Sequence, residues 1–366
     1  MTPGPAVPLL AAAKARLRDL LLRRLGWSAA YDAVVRAENL VFGRKLRVEA
    51  CSACQLACPS CSTAQGLTRQ GPVGAGRLRA ADFRRFVERN GRIREIELSN
   101  WGEIFLNTEL PEILAIARER GIALTAMNGV NLNDATEEML EAVVRHGLRR
   151  MSVSIDGATA ESYATYRRKG DLATVLRNVD RIIHHKKALG SRYPELTWQF
   201  VVFGHNEREI ATAREMARER GMRFNPIRNL DFGYSPAGDA ELVRREAGID
   251  TSVGGEAVVR GIAGRLDFCH QLWDAPQVNW DGKLLGCCFN YFSDFGNVFE
   301  TGLAPALAGE RYRHTKAVVL GRAAPRPDTP CLRCPVYAGA ASPTGAKVIP
   351  IFAEGAGRRE PAPGQP

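Results

Sequence analysis

From Arg44 onward the chain alternates short apolar runs with longer segments of helical spacing. The runs "KLRVEA" (45–50), "EIELSN" (95–100), "IALTAMN" (122–128), "RRMSVSID" (149–156), "LTWQFVVF" (196–203) and "RFNPIRNL" (223–230) read as strands. Between them, "AADFRRFVERN", "LPEILAIARERG", "ATEEMLEAVVRHG", "DLATVLRNVDRIIHHKKALG" and "NEREIATAREMARERG" carry the spacing of amphipathic helices. Gly121, Gly147 and Gly221 stand where those helices should stop. Six strands with five intervening helices predict right-handed crossovers and a parallel sheet of the α/β class. Such a sheet is either curved into an incomplete barrel or laid flat and doubly wound. In both forms ligands gather at the C-terminal ends of the strands, where Cys54, Cys58, Cys61, Asn100, Asn128 and Asp156 fall.

The flanks behave differently. Residues 1–43 are an N-terminal extension whose basic amphipathic pattern predicts helix, packed on the main domain rather than on a membrane. The strand–helix core spans 44–236, a helical connector 237–265, and a cysteine-rich region of short strand and turn signals 266–340. Residues 341–366, rich in Pro, Gly and Ala, read as a flexible tail.

At 366 residues and 45% hydrophobic, the chain can bury a large core. No apolar run approaches the roughly 20 residues that cross a bilayer, and no secretory signal opens the sequence, so a cytoplasmic location is expected. There thiols stay reduced, which makes nine cysteines metal ligands or catalytic groups rather than disulfides. The formal charge of +10 comes mostly from arginines interleaved with glutamates along helices, which read as solvated faces. No compact basic-aromatic patch of the kind that binds single-stranded RNA is visible, so nucleic acid is not an expected partner.

The densest chemistry lies in "EACSACQLACPSC" (49–61), four cysteines directly after the first strand. Cys54, Cys58 and Cys61 form C-x3-C-x2-C, which wraps three soft thiolate ligands around one face of an iron-sulfur cubane. A zinc site, the competing assignment, wants four ligands in a closed tetrahedron. Cys51 stands outside the spacing and reads as a buried, unligated thiol. A second set follows: Cys269, Cys287, Cys288, and the C-x2-C pair Cys331 and Cys334, with "NWDGK" (279–283) as a hairpin turn between Cys269 and Cys287. Four cysteines are also a common zinc set.

The first set resembles the signature of the radical S-adenosylmethionine (SAM) superfamily, in which the iron left open chelates the amino and carboxylate groups of SAM. "SNWGE" (99–103) resembles that family's Gly-Gly-Glu segment, with Trp101 in place of the first glycine ahead of Gly102 and Glu103. "SVSIDG" (152–157) resembles the segment whose serine and aspartate, here Ser154 and Asp156, contact the methionine carboxylate and ribose. The Tyr-x-x-x-Arg run that follows makes Arg167 a candidate partner of that carboxylate. Ser60 departs from the family, which often has an aromatic residue before the last cysteine. The resemblance implies a partial (β/α)6 barrel. The second set resembles the auxiliary-cluster region of the SPASM/Twitch group. With no cysteine after Cys334 it looks like the shortened Twitch form, one auxiliary 4Fe-4S cluster on Cys269, Cys287, Cys331 and Cys334, with Cys288 as the alternative to Cys287.

The implied chemistry is reductive cleavage of SAM and removal of a substrate hydrogen, with the organic step belonging to the cofactor. An auxiliary cluster held by four cysteines favours a two-electron oxidation, such as dehydrogenation of a sugar or cyclitol alcohol. Modification of a peptide or protein side chain is the second expectation, and a non-catalytic iron-sulfur or zinc protein the third. The implied partners are a small molecule or peptide and an electron donor such as flavodoxin or ferredoxin. His205, His270, Tyr291 and His314 are possible general bases, and residue type alone selects none of them.

Overall fold

The computed structural model of the chain describes residues 27–231, 233–251, 269–334 and 337. The first part of the N-terminal extension, residues 252–265 of the expected connector and the expected tail lie outside the described residues. All thirteen expected ligand and cofactor-binding residues lie within them.

Helix α1 (Trp27–Phe42) leads into β1 (Arg44–Val48), and the alternation then runs as the pattern predicts. The elements are α2 (Ala80–Arg89), β2 (Ile93–Glu97), α3 (Leu110–Glu119), β3 (Ala123–Val130), α4 (Glu137–Arg145) and β4 (Arg150–Ser154). They continue as α5 (Ala160–Tyr166), α6 (Leu172–Ala188), β5 (Glu195–Val202), α7 (Ile210–Glu219), β6 (Arg223–Arg228) and α8 (Ala240–Ala247). Side chains of Thr136, Thr159, Asp171 and Asp239 cap α4, α5, α6 and α8, satisfying amide groups that each helix start leaves open.

The strands lie in the order β6-β5-β4-β3-β2-β1-β7, every neighbour parallel. Consecutive strands are therefore adjacent with no reversal of direction, and right-handed crossovers put every helix on the same side. This excludes the doubly wound form and gives the open, partial barrel. The side chains agree. The registers Leu46–Ile96–Leu124 and Val153–Trp198 form apolar rows that join helix residues such as Phe83, Ile113 and Val143 in one buried cluster. The opposite face carries Arg47, Glu97, Thr125, Ser152 and Thr197.

A strand before the "NWDGK" turn was expected, but its place as a seventh strand of the sheet was not. β7 (Gln277–Val278) comes from the cysteine-rich region and pairs with the free edge of β1, Val48 against Val278. A two-residue strand has little sequence signature, because its pairing energy comes from the edge it covers. The expected turn follows it: Asn279 N donates to Lys283 O at 2.8 Å, Gly282 holds φ +88°, and Val278 and Leu284 bridge antiparallel. Short helices α9 (Gln271–Asp274), α10 (Val298–Thr301), α11 (Leu303–Ala308) and α12 (Glu310–Val319) complete this unit.

Helices α2, α3, α4, α6, α7 and α8 all carry basic residues in the last turn. Each helix returns the chain against the strand direction, so these cations gather at the N-terminal end of the barrel and offset the helix dipoles. Much of the positive charge thus sits at the end away from the cysteines.

Trp198 is fully buried on the helix side and its Nε1 donates to Ile155 O at 2.9 Å. Trp198→Ala is expected to cost about 3–5 kcal/mol, read as a lowered midpoint in urea unfolding.

Candidate functional site

The cysteine loop leaves the end of β1 and folds back across the rim of the barrel. Cys61 N donates to Cys58 O at 3.2 Å, and Ala57 N to Arg168 O at 3.0 Å, which ties the loop to the end of α5. Cys54 and Cys61 are half-buried and Cys58 is buried. Burial, followed by the charges of Glu103, Cys58 and Cys61, pushes the Cys54 thiol up to about 12. Burial also raises Cys58, with Arg167 acting in the other direction and Cys61 reinforcing the rise. The three thiols thus form one electrostatic group, and loading a metal releases their protons. Among the described residues no three His, Cys, Asp or Glu side chains converge as the cage of a single metal ion. Cys51, as expected, is buried outside the group, with its Sγ 3.6 Å from Ala53 O.

The segment after β2 lies flat on this loop. A Cβ on Gly102 would fall 2.4 Å from both Cys51 O and Ala53 O, so no other residue fits without moving the loop. Glu103 N donates to Ala53 O at 2.8 Å, and Thr63 Oγ1 donates to Trp101 O at 2.5 Å. The buried Glu103 carboxylate accepts from Phe105 N at 3.1 Å and Asn131 N at 2.6 Å, and burial pushes it up to about 7. Behind the segment, the fully buried Glu49 accepts from Trp101 N at 3.1 Å and Gly102 N at 3.3 Å. Burial pushes Glu49 up to about 8 against the pull of these amides.

Ser154 and Asp156 follow β4 on the same rim. Ser154 Oγ accepts from Gln199 Nε2 at 3.3 Å beneath Gly129. Asp156, wholly buried, accepts from Arg167 Nε at 2.6 Å on Oδ2 and from Val201 N at 2.7 Å on Oδ1. Burial works against the Arg167 charge, but Asp156 and then Cys58 outweigh it and hold the guanidinium protonated. Arg167 also reaches Cys58 Sγ at 4.0 Å. Both Asp156 oxygens are engaged, so in this arrangement it orients the arginine. Ser60 donates to Asp231 Oδ2 at 2.6 Å, a hydrogen bond where the family often packs an aromatic ring.

The second cysteine set meets beside this rim. Cys269, Cys287, Cys331 and Cys334 line one cavity with apolar neighbours including Leu272, Leu285, Phe292 and Phe295. Burial raises all of Cys269, Cys287 and Cys331, and neighbouring thiols raise them further. Cys288 is not in the lining; its Sγ lies 3.8 Å from Gln271 Oε1. The geometry thus groups Cys287, not Cys288, with the other three. Asn100 Nδ2 donates to Cys288 O at 3.2 Å, and Trp101 meets Tyr291 edge-on at 5.7 Å, so the two sets share a wall.

A model of the radical SAM superfamily matches residues 48–222, and one of an iron-sulfur cluster-binding domain, SPASM, matches residues 269–335. The chain carries a radical SAM domain followed by a SPASM domain. The two domains imply a SAM-binding 4Fe-4S cluster, SAM itself and an auxiliary cluster, and the thiol sets fit both clusters. The GTP 3',8-cyclase of Corynebacterium glutamicum is 30% identical over 202 residues, covering 52% of this chain and 50% of that protein. The chain thus spans about half the length of that relative. An AdoMet-dependent heme synthase of Methanosarcina barkeri is 24% identical over 311 residues, 73% of this chain and 78% of that protein. Among solved structures, SuiB of Streptococcus suis bound to S-adenosylmethionine superposes with a TM-score of 0.55 at 14% identity, covering 83% of this chain and 74% of that one. That likeness shows the shared fold. Among the described residues no helix is long and apolar enough to cross a membrane.

Several groups had no role in the sequence pattern. Asn131 reaches Cys54 Sγ at 3.8 Å and accepts from Gln55 Nε2 at 2.9 Å. An asparagine after the third strand carries no motif, so only its position reveals it. Phe203, Tyr166, Tyr234 and His205 form an aromatic group by the loop; Tyr166 and Phe203 are 4.4 Å apart and His205 stacks on Phe203 at 5.2 Å.

Glu49 and Glu103 titrate higher in the folded chain, about 8 and about 7, than the roughly 4.3 of an unfolded glutamate. Stability held by a raised carboxyl is complete below its unfolded value and is lost as pH rises through its folded value. The unfolding free energy of the metal-free protein, read from urea titrations, is therefore expected to fall from about pH 5 to about pH 8, by at most about 1.4 kcal/mol per pH unit for each carboxyl. Glu49→Gln is expected to flatten the upper part of that decline.

Proposed function

We propose that the protein is a radical SAM dehydrogenase acting on the alcohol of a hydroxyl-rich small molecule such as a sugar or cyclitol. The observation that carries this reading is the second cavity, where four cysteines share one lining that Cys288 does not join. If these four thiolates held every iron of a cluster, none would be open to grip substrate, which would suit an electron acceptor.

Cys54, Cys58 and Cys61 would hold the first cluster, and the Trp101–Glu103 backbone, Ser154 and Arg167 would hold SAM. When bound, these groups supply a 5'-deoxyadenosyl radical that takes a hydrogen atom from a C–H bond. The substrate then loses a proton and a second electron to become a carbonyl. An auxiliary cluster held by Cys269, Cys287, Cys331 and Cys334 would supply the acceptor for that electron, and a donor such as flavodoxin or ferredoxin would supply the one that cleaves SAM. The chain's own share is orientation. Asn100, Gln199 and the exposed Asn128 present uncharged amide groups around the mouth of the barrel, which suits hydroxyl groups better than a charged substrate. Asn128 is held there by Nδ2 donating to Ser99 O at 2.6 Å.

Peptide modification is the second reading. The SuiB fold, which overlays 83% of this chain, also appears in a complex with its precursor peptide SuiA.

Anaerobically reconstituted protein is expected to hold about eight irons per chain and to form 5'-deoxyadenosine from SAM and dithionite. Cys58→Ala should lose about half the iron and all cleavage. Cys287→Ala should lose the other half and retain cleavage, while Cys288→Ala keeps both. Carbonyl products from a panel of sugars and cyclitols support the reading. Modified peptides in place of carbonyls, or about four irons in the native protein, would overturn it.

A further inference from the structure

Glu49 is a carboxyl completely removed from solvent at the rim, and among the described residues no cation forms an ion pair with it. Its nearest polar neighbours are backbone amides. Oε1 and Oε2 each lie 3.1 Å from Trp101 N, and Oε1 lies 3.3 Å from Gly102 N. The Asn100 amide also holds its titration down, while Glu97 on β2 pushes it up. Gln277 Nε2 of β7 approaches Oε2 at 3.5 Å. Burying a carboxyl without a cation is costly, so this arrangement calls for a return elsewhere in the molecule.

The return lies in what the amides do to their own peptide planes. In a trans peptide the carbonyl points away from the N–H that follows it. Fixing Trp101 N and Gly102 N on Glu49 therefore turns Asn100 O and Trp101 O toward the opposite side. Thr63, two residues past Cys61, meets Trp101 O there at 2.5 Å. The segment is thus clamped between a carboxyl behind and the cysteine loop in front. The front contact leaves no room for a side chain, since Gly102 already lies against Cys51 O and Ala53 O. Glu49 is the side chain that reaches these amides from behind.

We propose that Glu49 is the positioning residue of the SAM site, aiming the Asn100 and Trp101 carbonyls at the cysteine loop and so setting the affinity for the amino group of SAM. This rests on reading the Trp101–Gly102 backbone as the acceptor of that group. Glu49 itself touches no cofactor.

The test separates the amino-acid end of the ligand from the nucleoside end. S-adenosylhomocysteine carries both and is not cleaved; 5'-methylthioadenosine carries only the nucleoside and thioether. Dissociation constants for both are measured by anaerobic equilibrium dialysis on reconstituted wild type, Glu49→Asp and Glu49→Gln, alongside iron per chain. Glu49→Asp, which withdraws the carboxyl by one methylene, is expected to weaken S-adenosylhomocysteine about tenfold. Its affinity for 5'-methylthioadenosine and its iron content should stay at wild-type values. Glu49→Gln, which keeps one acceptor oxygen, should lose only about threefold. Unchanged S-adenosylhomocysteine binding in both variants overturns the proposal. Equal weakening of both ligands also overturns it, because the whole rim would then have moved, as does loss of iron in both variants, which would make Glu49 a support of the cysteine loop. Failure of the wild type to bind S-adenosylhomocysteine would instead sink the assignment of this backbone to SAM.

Discussion

The site is built on the seam where the backbone of Trp101 to Glu103 lies against the backbone of Cys51 to Ala53. A side chain at position 102 would close the 2.4 Å gap to two carbonyls, and the Glu103 amide bonds Ala53 O across the same gap. The seam joins the ends of two adjacent parallel strands, β1 and β2, so their register transmits directly to the thiols. From it the contacts spread outward. Thr63 returns to Trp101, Asn131 bridges Glu103 and Cys54, and Arg167 links Asp156 to Cys58.

Around that seam the barrel divides its two faces. Helices cover the outer face, whose apolar rows make the core. The inner face carries a polar set seldom buried elsewhere, and apart from Gln277 Oε1 much of it is paired internally. Glu97 accepts from Ser99 Oγ, Thr125 Oγ1 and Met127 N at 2.6–2.8 Å. Lys45 pairs with Glu95 at 2.7 Å near the opposite end of the strands. A satisfied polar interior is rigid, because each broken bond would leave a buried group without a partner. The cysteine loop therefore rests on a stiff platform.

The cysteine-rich unit reaches the platform through β7. Two residues pair with β1, and this short contact brings the second thiol cavity to the same rim as the first. Tyr31 meets Trp273 edge-on at 5.8 Å, and Phe86 packs on Phe299 at 5.6 Å, fixing the unit from two further directions. Trp101 stands where the family resemblance has a glycine, and its ring takes up the space against Tyr291, which in turn packs on Phe292 of the second cavity. The departure from the motif thus becomes a contact between the two halves of the site.

The strand–helix alternation, the helix stops at Gly121, Gly147 and Gly221, and the spacing of Cys54, Cys58 and Cys61 were determined by sequence alone. Each depends on periodicity or on short loops whose reach is set by a few bonds. The choice between a wound sheet and a barrel was not, because both share the same local pattern and differ only in strand order. Nor was the place of β7 in the sheet, which its two residues take only because β1 leaves an edge open. Glu49 and Asn131 show the same limit, since neither residue type nor neighbours along the chain mark them. Tertiary structure also grouped Cys287 with Cys269, Cys331 and Cys334 in one lining and left Cys288 beside Gln271. Adjacent residues at a turn point in different directions, and only the packing of the second cavity decides which thiol faces it.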